Sequence, residues 1–81
     1  MRINIYGRPN CQWCTAAQEL LKMKGYVYEY INLFDMEPND ARAVVTASGM
    51  KTVPIVQIDD IYIGGFDALE AYINGLEERN V

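Results

Sequence analysis

The sequence predicts an α/β fold with the element order β-α-β-α-β-β-α, in which helices flank a mixed four-stranded sheet. Three observations support this prediction. Short runs rich in β-branched and aromatic residues recur along the chain. Three longer segments carry apolar residues at helical spacing. Glycines or paired aspartates stand at most boundaries between these segments, where turn-forming residues are expected.

The first half of the chain indicates a βαβ unit. Residues 2–6 alternate polar and apolar side chains, which is typical of a strand. Residues 12–24 repeat small or apolar side chains at helical spacing, and Gly25 supplies the expected stop. Residues 26–32 are dense in aromatic and β-branched side chains, which favours a second strand. A strand–helix–strand order predicts a parallel pair joined by a right-handed crossover.

The second half predicts a helix, a hairpin and a last helix. Pro38 suits the first turn of a helix that Gly49 ends. Two apolar runs, at 53–58 and 61–63, are separated by a pair of aspartates, and this pattern predicts a tight antiparallel hairpin. Apolar residues from Phe66 onward then recur at helical spacing.

Composition indicates one small soluble domain, which we expect to span residues 1–81. Hydrophobic residues make up 51% and charged residues 22% of the 81-residue chain, enough for a core without disulfide or metal support. No long apolar run or secretory signal is present, so we expect no membrane contact, a cytoplasmic location and a monomer. The net charge of −4 gives no general attraction to nucleic acid.

The two cysteines, Cys11 and Cys14, stand one helical turn apart at the start of the first predicted helix. Unpaired N–H groups and the helix dipole favour a thiolate there, and the thiolate is the reactive form. Cys11 precedes the helix and is expected to be exposed, whereas Cys14 lies inside it. We therefore predict that Cys11 attacks a substrate disulfide and that Cys14 resolves the mixed disulfide.

The rest of the composition limits the chemistry that this pair can support. The chain has no histidine to act as a base, so thiolate formation depends on the helix start and on nearby cations such as Arg8. Two cysteines without histidine also exclude a mononuclear zinc site within one chain. No metal is expected.

The chain resembles the glutaredoxin family along nearly its whole length. Three segments carry the resemblance: Gly7-Arg8-Pro9-Asn10-Cys11-Gln12-Trp13-Cys14, Thr52-Val53-Pro54 and Ile63-Gly64-Gly65-Phe66-Asp67. The resemblance implies the thioredoxin fold in its minimal form. It also implies a thiol–disulfide oxidoreductase that uses glutathione as reductant, acts on protein disulfides or glutathione mixed disulfides, and has ribonucleotide reductase among its clients.

The resemblance also implies a glutathione site. The γ-glutamyl end of glutathione is expected at Gly65, Phe66 and Asp67, after a close approach to the Gly64 backbone. Pro54 is expected to be cis, beside the nucleophile. The residues before it, Thr52 and Val53, are then expected to bind the substrate, with the Val53 backbone pairing to it as an added strand.

Three cations and two other side chains have more than one interpretation. Arg8 is expected to bind the glycine carboxylate of glutathione, with Lys51 or Arg42 assisting, although all three also fit solvated surface positions. Trp13 is either part of the core or an exposed ring against which a substrate lies. Asp67 either receives the glutathione ammonium or caps the last helix.

The dipeptide between the cysteines is the main departure from the family, which generally has Pro and Tyr there. Gln12 restores a backbone N–H, which changes the loop and with it the redox balance. Three alternatives stay open, of which this departure favours only the first, since a bulky Trp13 would crowd a cluster at Cys11. They are a glutaredoxin-like redoxin reduced by thioredoxin reductase, a module that shares an iron–sulfur cluster between two chains with glutathione as co-ligand, and a redox-inert adaptor.

Overall fold

The computed structural model describes residues 1–79, so the last two residues of the expected 1–81 domain lie outside the described part. The element order β-α-β-α-β-β-α and the mixed four-stranded sheet are confirmed. The elements are β1 (Ile3–Gly7), α1 (Gln12–Lys24), β2 (Glu29–Asn32), α2 (Pro38–Ser48), β3 (Ile55–Ile58), β4 (Ile61–Gly64) and α3 (Phe66–Arg79). A short 3-10 turn at Leu33–Asp35, which the sequence analysis missed, precedes α2.

The sheet has the strand order β2-β1-β3-β4. β1 and β2 are parallel, as the βαβ pattern predicts, and Ile5 pairs with Tyr30. β3 runs antiparallel to β1 and β4. This order places the end of β1 and the start of β3 next to each other, so the loop before α1 and the loop before β3 meet at one edge of the sheet.

The core lies between the sheet and the helices α1 and α3. Its fully buried members come from both strands and helices: Ile3, Ile5, Ala17, Leu21, Val56, Ile58, Leu69 and Ile73. Helix α2 contacts β4 and contributes the buried Val44. None of the helices within residues 1–79 is long and apolar enough to cross a membrane.

The second strand is shorter than predicted because the residues directly after α1 form hydrogen bonds with the end of that helix. Gly25 adopts a left-handed conformation, with φ at 79°, and its N–H donates to the Lys22 carbonyl. The Tyr26 N–H donates to the Leu21 carbonyl at 2.9 Å, which completes a Schellman cap. The Tyr26 N–H is therefore used by the helix cap and not by the sheet, and sheet pairing begins only at Glu29.

The third strand begins at Ile55 rather than at Val53, because Pro54 has no N–H to donate to a neighbouring strand. The Val53–Pro54 peptide bond is cis, as the family resemblance implies. The predicted tight hairpin is confirmed. Both of its turn residues, Asp59 and Asp60, have positive φ angles, which two-residue hairpins favour.

The buried face of α1 predicts a measurable contrast between two of its residues. Leu21 is fully buried in the core, so Leu21→Ala is expected to lower the free energy of unfolding by about 2–5 kcal/mol. Met23 on the same helix is 82% exposed, so Met23→Ala is expected to change it by less than about 0.5 kcal/mol. Urea denaturation followed by circular dichroism measures both. Similar losses for the two variants would contradict the assignment of the core.

Candidate active site

The two cysteines lie at the start of α1 and are joined by a disulfide, with their Cα atoms 5.2 Å apart. Cys11 occupies the N-cap position, and its extended backbone turns the chain into the helix. The Cys14 N–H donates to the Cys11 sulfur at 3.1 Å. A sulfur therefore accepts one of the N–H groups that a helix start leaves unpaired. This arrangement favours negative charge on Cys11 after reduction.

The two sulfur-bearing residues differ in their exposure to solvent. Cys14 is only 1% exposed and packs into the interior, whereas Cys11 remains partly exposed. An incoming thiolate therefore has better access to Cys11 than to Cys14. The expected difference in accessibility is confirmed by the structure.

A groove of about 410 Å³ borders Cys11, and we call it the Trp13 groove. Its lining residues are Trp13, Met50, Thr52, Val53, Pro54, Gly65, Phe66 and Asp67. The Cys11 sulfur lies 4.0 Å from the Val53 carbonyl oxygen, so the groove begins beside the exposed sulfur. Seven residues that the sequence analysis assigned to substrate binding thus line one groove, although they come from three separate parts of the chain.

Trp13 forms one wall of this groove. It is 61% exposed, and its ring lies 5.2 Å from the Phe66 ring, centroid to centroid, with a tilt of 44°. The interpretation of Trp13 as a core residue is therefore wrong. The two rings present an apolar surface to any molecule that is bonded to Cys11.

The far end of the Trp13 groove is the start of α3. The Gly65 carbonyl accepts the Leu69 N–H at 3.1 Å, which makes Gly65 the residue before the helix. Gly65 has no side chain, so it cannot cap the N–H groups of the first turn. Asp67 is exposed and lies inside the first turn rather than at the capping position.

Gly65 also sets the width of the groove. A Cβ atom at this position would lie 3.3 Å from the Met50 Cε atom and 3.4 Å from the Pro54 carbonyl oxygen. Met50 is a lining residue that the sequence analysis missed. No motif marks it, because it belongs to the loop after α2 and only the folded chain brings it to Gly65.

A second depression, of about 520 Å³, contains Cys11 itself, and we call it the Arg8 groove. It is lined by polar and aromatic side chains: Arg8, Asn10, Cys11, Gln12, Thr15, Gln18 and Tyr30. The Arg8 guanidinium donates to the neighbouring Pro9 carbonyl at 3.2 Å. Arg8 therefore does not line the Trp13 groove. It lines the Arg8 groove together with Cys11. The exposed residues Lys51 and Arg42 line neither groove.

Tyr30 and Cys14 both pack against Gly7. Gly7 is buried at the end of β1, and a Cβ atom there would collide with the Tyr30 hydroxyl and lie 2.9 Å from the Cys14 sulfur. Because Gly7 has no side chain, the Tyr30 hydroxyl and the Cys14 sulfur can both lie close to its backbone. Tyr30 is the second site residue that the sequence analysis missed, since its position in an aromatic strand looks like ordinary core packing.

Within the described residues 1–79, no group of three or more histidine, cysteine, aspartate or glutamate side chains is placed to hold a metal ion. The chemistry of the site is that of two sulfurs that form and break a disulfide beside an open groove. Fold and site together define a thiol–disulfide oxidoreductase of the thioredoxin fold.

Comparisons with known proteins identify the family. The Glutaredoxin family model matches residues 3–63. Glutaredoxin 1 of Rickettsia felis is 40% identical over 68 residues, which cover 83% of this chain and 67% of that protein. The chain belongs to the glutaredoxin family.

Two solved structures show the same fold. A buckwheat glutaredoxin–glutathione complex superposes with a TM-score of 0.76 at 29% identity, covering 90% of this chain and 69% of that one. The glutaredoxin-like protein NrdH-redoxin from Escherichia coli gives a TM-score of 0.73 at 33% identity, covering 88% of this chain and 93% of that one. Both relatives are substantially similar to this chain, one of them in complex with glutathione and the other named a glutaredoxin-like redoxin.

The space around Gly7 generates a prediction about stability. Gly7→Ala is expected to lower the free energy of unfolding by about 1–3 kcal/mol, because the added methyl group collides with the Tyr30 hydroxyl and crowds the Cys14 sulfur. Gly75→Ala is the control, since no atom lies within 4 Å of its added Cβ. Alanine is expected to stabilise α3 there by about 0.5–1 kcal/mol. A neutral Gly7→Ala variant in urea denaturation would show that the contact is looser than the structure indicates.

Proposed function

We propose that this protein is a dithiol glutaredoxin that uses glutathione to reduce protein disulfides and glutathione mixed disulfides. The observation that carries the proposal is the Trp13 groove, which begins beside the Cys11 sulfur and ends at the uncapped start of α3. One end of the groove offers a reactive sulfur and the other end offers backbone N–H groups to a carboxylate. Glutathione carries a sulfur and two carboxylates on one short peptide.

In the proposed reaction, the Cys11 thiolate attacks a sulfur of the substrate disulfide. A bond forms between Cys11 and that sulfur, and the other substrate sulfur leaves as a thiolate. Cys14 then attacks Cys11, the substrate leaves as a second thiolate, and the Cys11–Cys14 disulfide forms. Two glutathione molecules return the disulfide to two thiols and become oxidised glutathione. The exposure of Cys11 and the burial of Cys14 support this division of roles.

The proposed pose of glutathione follows the groove. Its cysteine lies beside the Val53 backbone, and its γ-glutamyl part runs between the rings of Trp13 and Phe66. Its α-carboxylate meets the N–H groups after Gly65, and its ammonium meets the Asp67 carboxylate. The glutathione complex of the buckwheat relative supports this proposal.

We further propose that Arg8 binds the glycine carboxylate from the neighbouring groove. Cys11 lines the Arg8 groove, so a glutathione bonded to its sulfur has its glycine end within reach of that side. Arg8 is exposed, and its hydrogen bond to Pro9 is a local contact that it can exchange for a carboxylate. In this proposal the protein acts in the cytoplasm, and ribonucleotide reductase is one of its clients.

A second candidate is a redoxin that receives its electrons from thioredoxin reductase. The feature that favours it is the pair Gln12 and Trp13, where the family generally has Pro and Tyr. The similar NrdH-redoxin from Escherichia coli is described as having a thioredoxin-like activity profile. The two candidates share the fold and the dithiol and differ in the reductant.

The reductant is tested by supplying the oxidised protein with NADPH and one of two reducing systems. With glutathione and glutathione reductase, we expect rapid NADPH consumption that depends on a disulfide substrate. With thioredoxin reductase, we expect little consumption. Consumption only with thioredoxin reductase would overturn glutathione as the reductant and support the second candidate.

The same assay tests the groove through Asp67→Asn. Loss of a charge-assisted hydrogen bond worth about 1.5–3 kcal/mol is expected to raise the KM for glutathione roughly tenfold or more. Reduction by dithiothreitol, which has no ammonium group, is expected to stay unchanged. Asp60→Asn, at the exposed tip of the hairpin, is the matched control. Equal effects of the two substitutions would contradict the proposed pose.

The division of roles between the cysteines predicts two different losses of activity. Cys11→Ser is expected to abolish every activity, because it removes the attacking sulfur. Cys14→Ser is expected to abolish reduction of protein disulfides and to keep part of the removal of glutathione from mixed disulfides, since a second glutathione can replace Cys14. Both activities are measured for both variants. Identical losses for the two variants would contradict the assigned roles.

A further inference from the structure

We propose that the Tyr30 hydroxyl is an assisting group for Cys14, to which it donates a hydrogen bond whenever Cys14 carries the negative charge of a thiolate. The inference rests on the oxidoreductase chemistry of the Cys11–Cys14 pair and is independent of which reductant supplies the electrons.

The need for such a group follows from the burial of Cys14. When the disulfide is reduced, the incoming thiolate bonds to Cys11, the Cys11–Cys14 bond breaks, and its electron pair stays on the Cys14 sulfur. Cys14 is only 1% exposed, and the fully buried side chains of residues 1–79 include none that is polar or charged. A thiolate in apolar surroundings is costly unless it receives hydrogen bonds.

Tyr30 is placed to supply that hydrogen bond. Its hydroxyl and the Cys14 sulfur both lie against Gly7, each less than 3.0 Å from the position that a Cβ atom there would take. With the disulfide formed, the hydroxyl donates to the Arg8 carbonyl at 3.4 Å. Hydroxyl hydrogen bonds are usually about 2.7–2.8 Å long, so this contact is weak and its proton is easily redirected. Rotation about the C–O bond points the proton toward Cys14.

The protonation state of Tyr30 fits a hydrogen-bond donor. Burial raises the pKa of Tyr30 above its ordinary value of 10.0, and the Arg8 guanidinium opposes this shift. At neutral pH, which lies well below that value, the phenol keeps its proton. Tyr30 therefore shares its proton in a hydrogen bond and does not transfer it. The groups that face it are Arg8, Cys14 and the disulfide-bonded Cys11.

The same hydrogen bond serves the opposite direction of exchange. Before Cys14 attacks a mixed disulfide on Cys11, it must lose its proton to water or to a solute base. A donor that stabilises the thiolate raises the fraction of Cys14 that is ready to attack. The same donor also stabilises Cys14 as the leaving group when the disulfide is reduced. Loss of the Tyr30 hydroxyl is therefore expected to slow both the formation and the reduction of the Cys11–Cys14 disulfide.

The experiment measures the Cys14 pKa without any substrate. In the Cys11→Ser protein, Cys14 is the only thiol, and its ionisation is followed by the ultraviolet absorbance of the thiolate. Adding Tyr30→Phe keeps the ring over Gly7 and removes only the hydroxyl. We expect the Cys14 pKa to rise by about one unit, which is a tenfold loss of thiolate at a given pH. Tyr28→Phe is the control, since the Tyr28 hydroxyl donates to Gln18.

Reaction rates of Tyr30→Phe in the native protein and in the Cys14→Ser protein distinguish a hydrogen bond to Cys14 from a general effect of Tyr30 on packing. With dithiothreitol as reductant, Tyr30→Phe is expected to slow reduction of a disulfide-bonded protein such as insulin severalfold. In the Cys14→Ser background, Cys11 is loaded with 2-mercaptoethanol, a small neutral thiol with no carboxylate for the Arg8 groove. Tyr30→Phe is expected to leave the rate at which dithiothreitol releases this thiol unchanged. An unchanged Cys14 pKa, or an equal slowing in both backgrounds, would overturn the proposal.

A measurement on the Cys11→Ser protein with Tyr30 intact gives a test that needs no tyrosine variant. The NMR signal of the Tyr30 ζ-carbon reports on the hydrogen bond of its hydroxyl. It is expected to shift with pH at the same midpoint as the Cys14 thiol. A Tyr30 signal that does not follow the Cys14 titration would also overturn the proposal.

Discussion

The sulfur cap at the start of α1 is the interaction on which the site depends. A helix needs an acceptor for its first N–H groups, and serine, threonine or a carboxylate usually provides it. Here the acceptor is the Cys11 sulfur, to which the Cys14 N–H donates. The helix gains its cap, and the sulfur gains a donor and the positive end of the dipole. One hydrogen bond thus links the stability of α1 to the charge on the reacting atom.

The sheet supplies the rest of the site by bringing distant loops to this sulfur. Because β1 is central and pairs with β3, the turn that leads into Cys11 lies beside the residues that precede Ile55. β4 then carries the chain to Gly65 and α3 on the same side. The chain has no histidine, and the start of α1 stabilises the thiolate that a neighbouring histidine stabilises in other enzymes.

Most of the fold followed from the sequence because glycines and other turn-forming residues mark the ends of its helices and strands. The sequence predicted that Gly25 and Gly49 end two helices. Both adopt the left-handed conformation at those helix ends. Strand boundaries were less accurate, since they depend on partners that a local pattern does not contain. Tyr26 reads as a strand residue by composition, but its N–H belongs to the end of α1. The motif residues of the groove were found, whereas Met50 and Tyr30 were missed because tertiary packing alone gives them their positions.

The missing side chain at Gly65 has a thermodynamic consequence. Glycine at this position leaves the first turn of α3 without a cap of its own, so the helix gives up part of the stability that a serine or aspartate there would add. In the proposed pose, a carboxylate bound in the Trp13 groove completes that turn. Ligand binding and helix stability would then be coupled by mass action, and saturation of the groove is expected to raise the melting temperature of the whole domain. The last helix would in this sense be completed by its ligand.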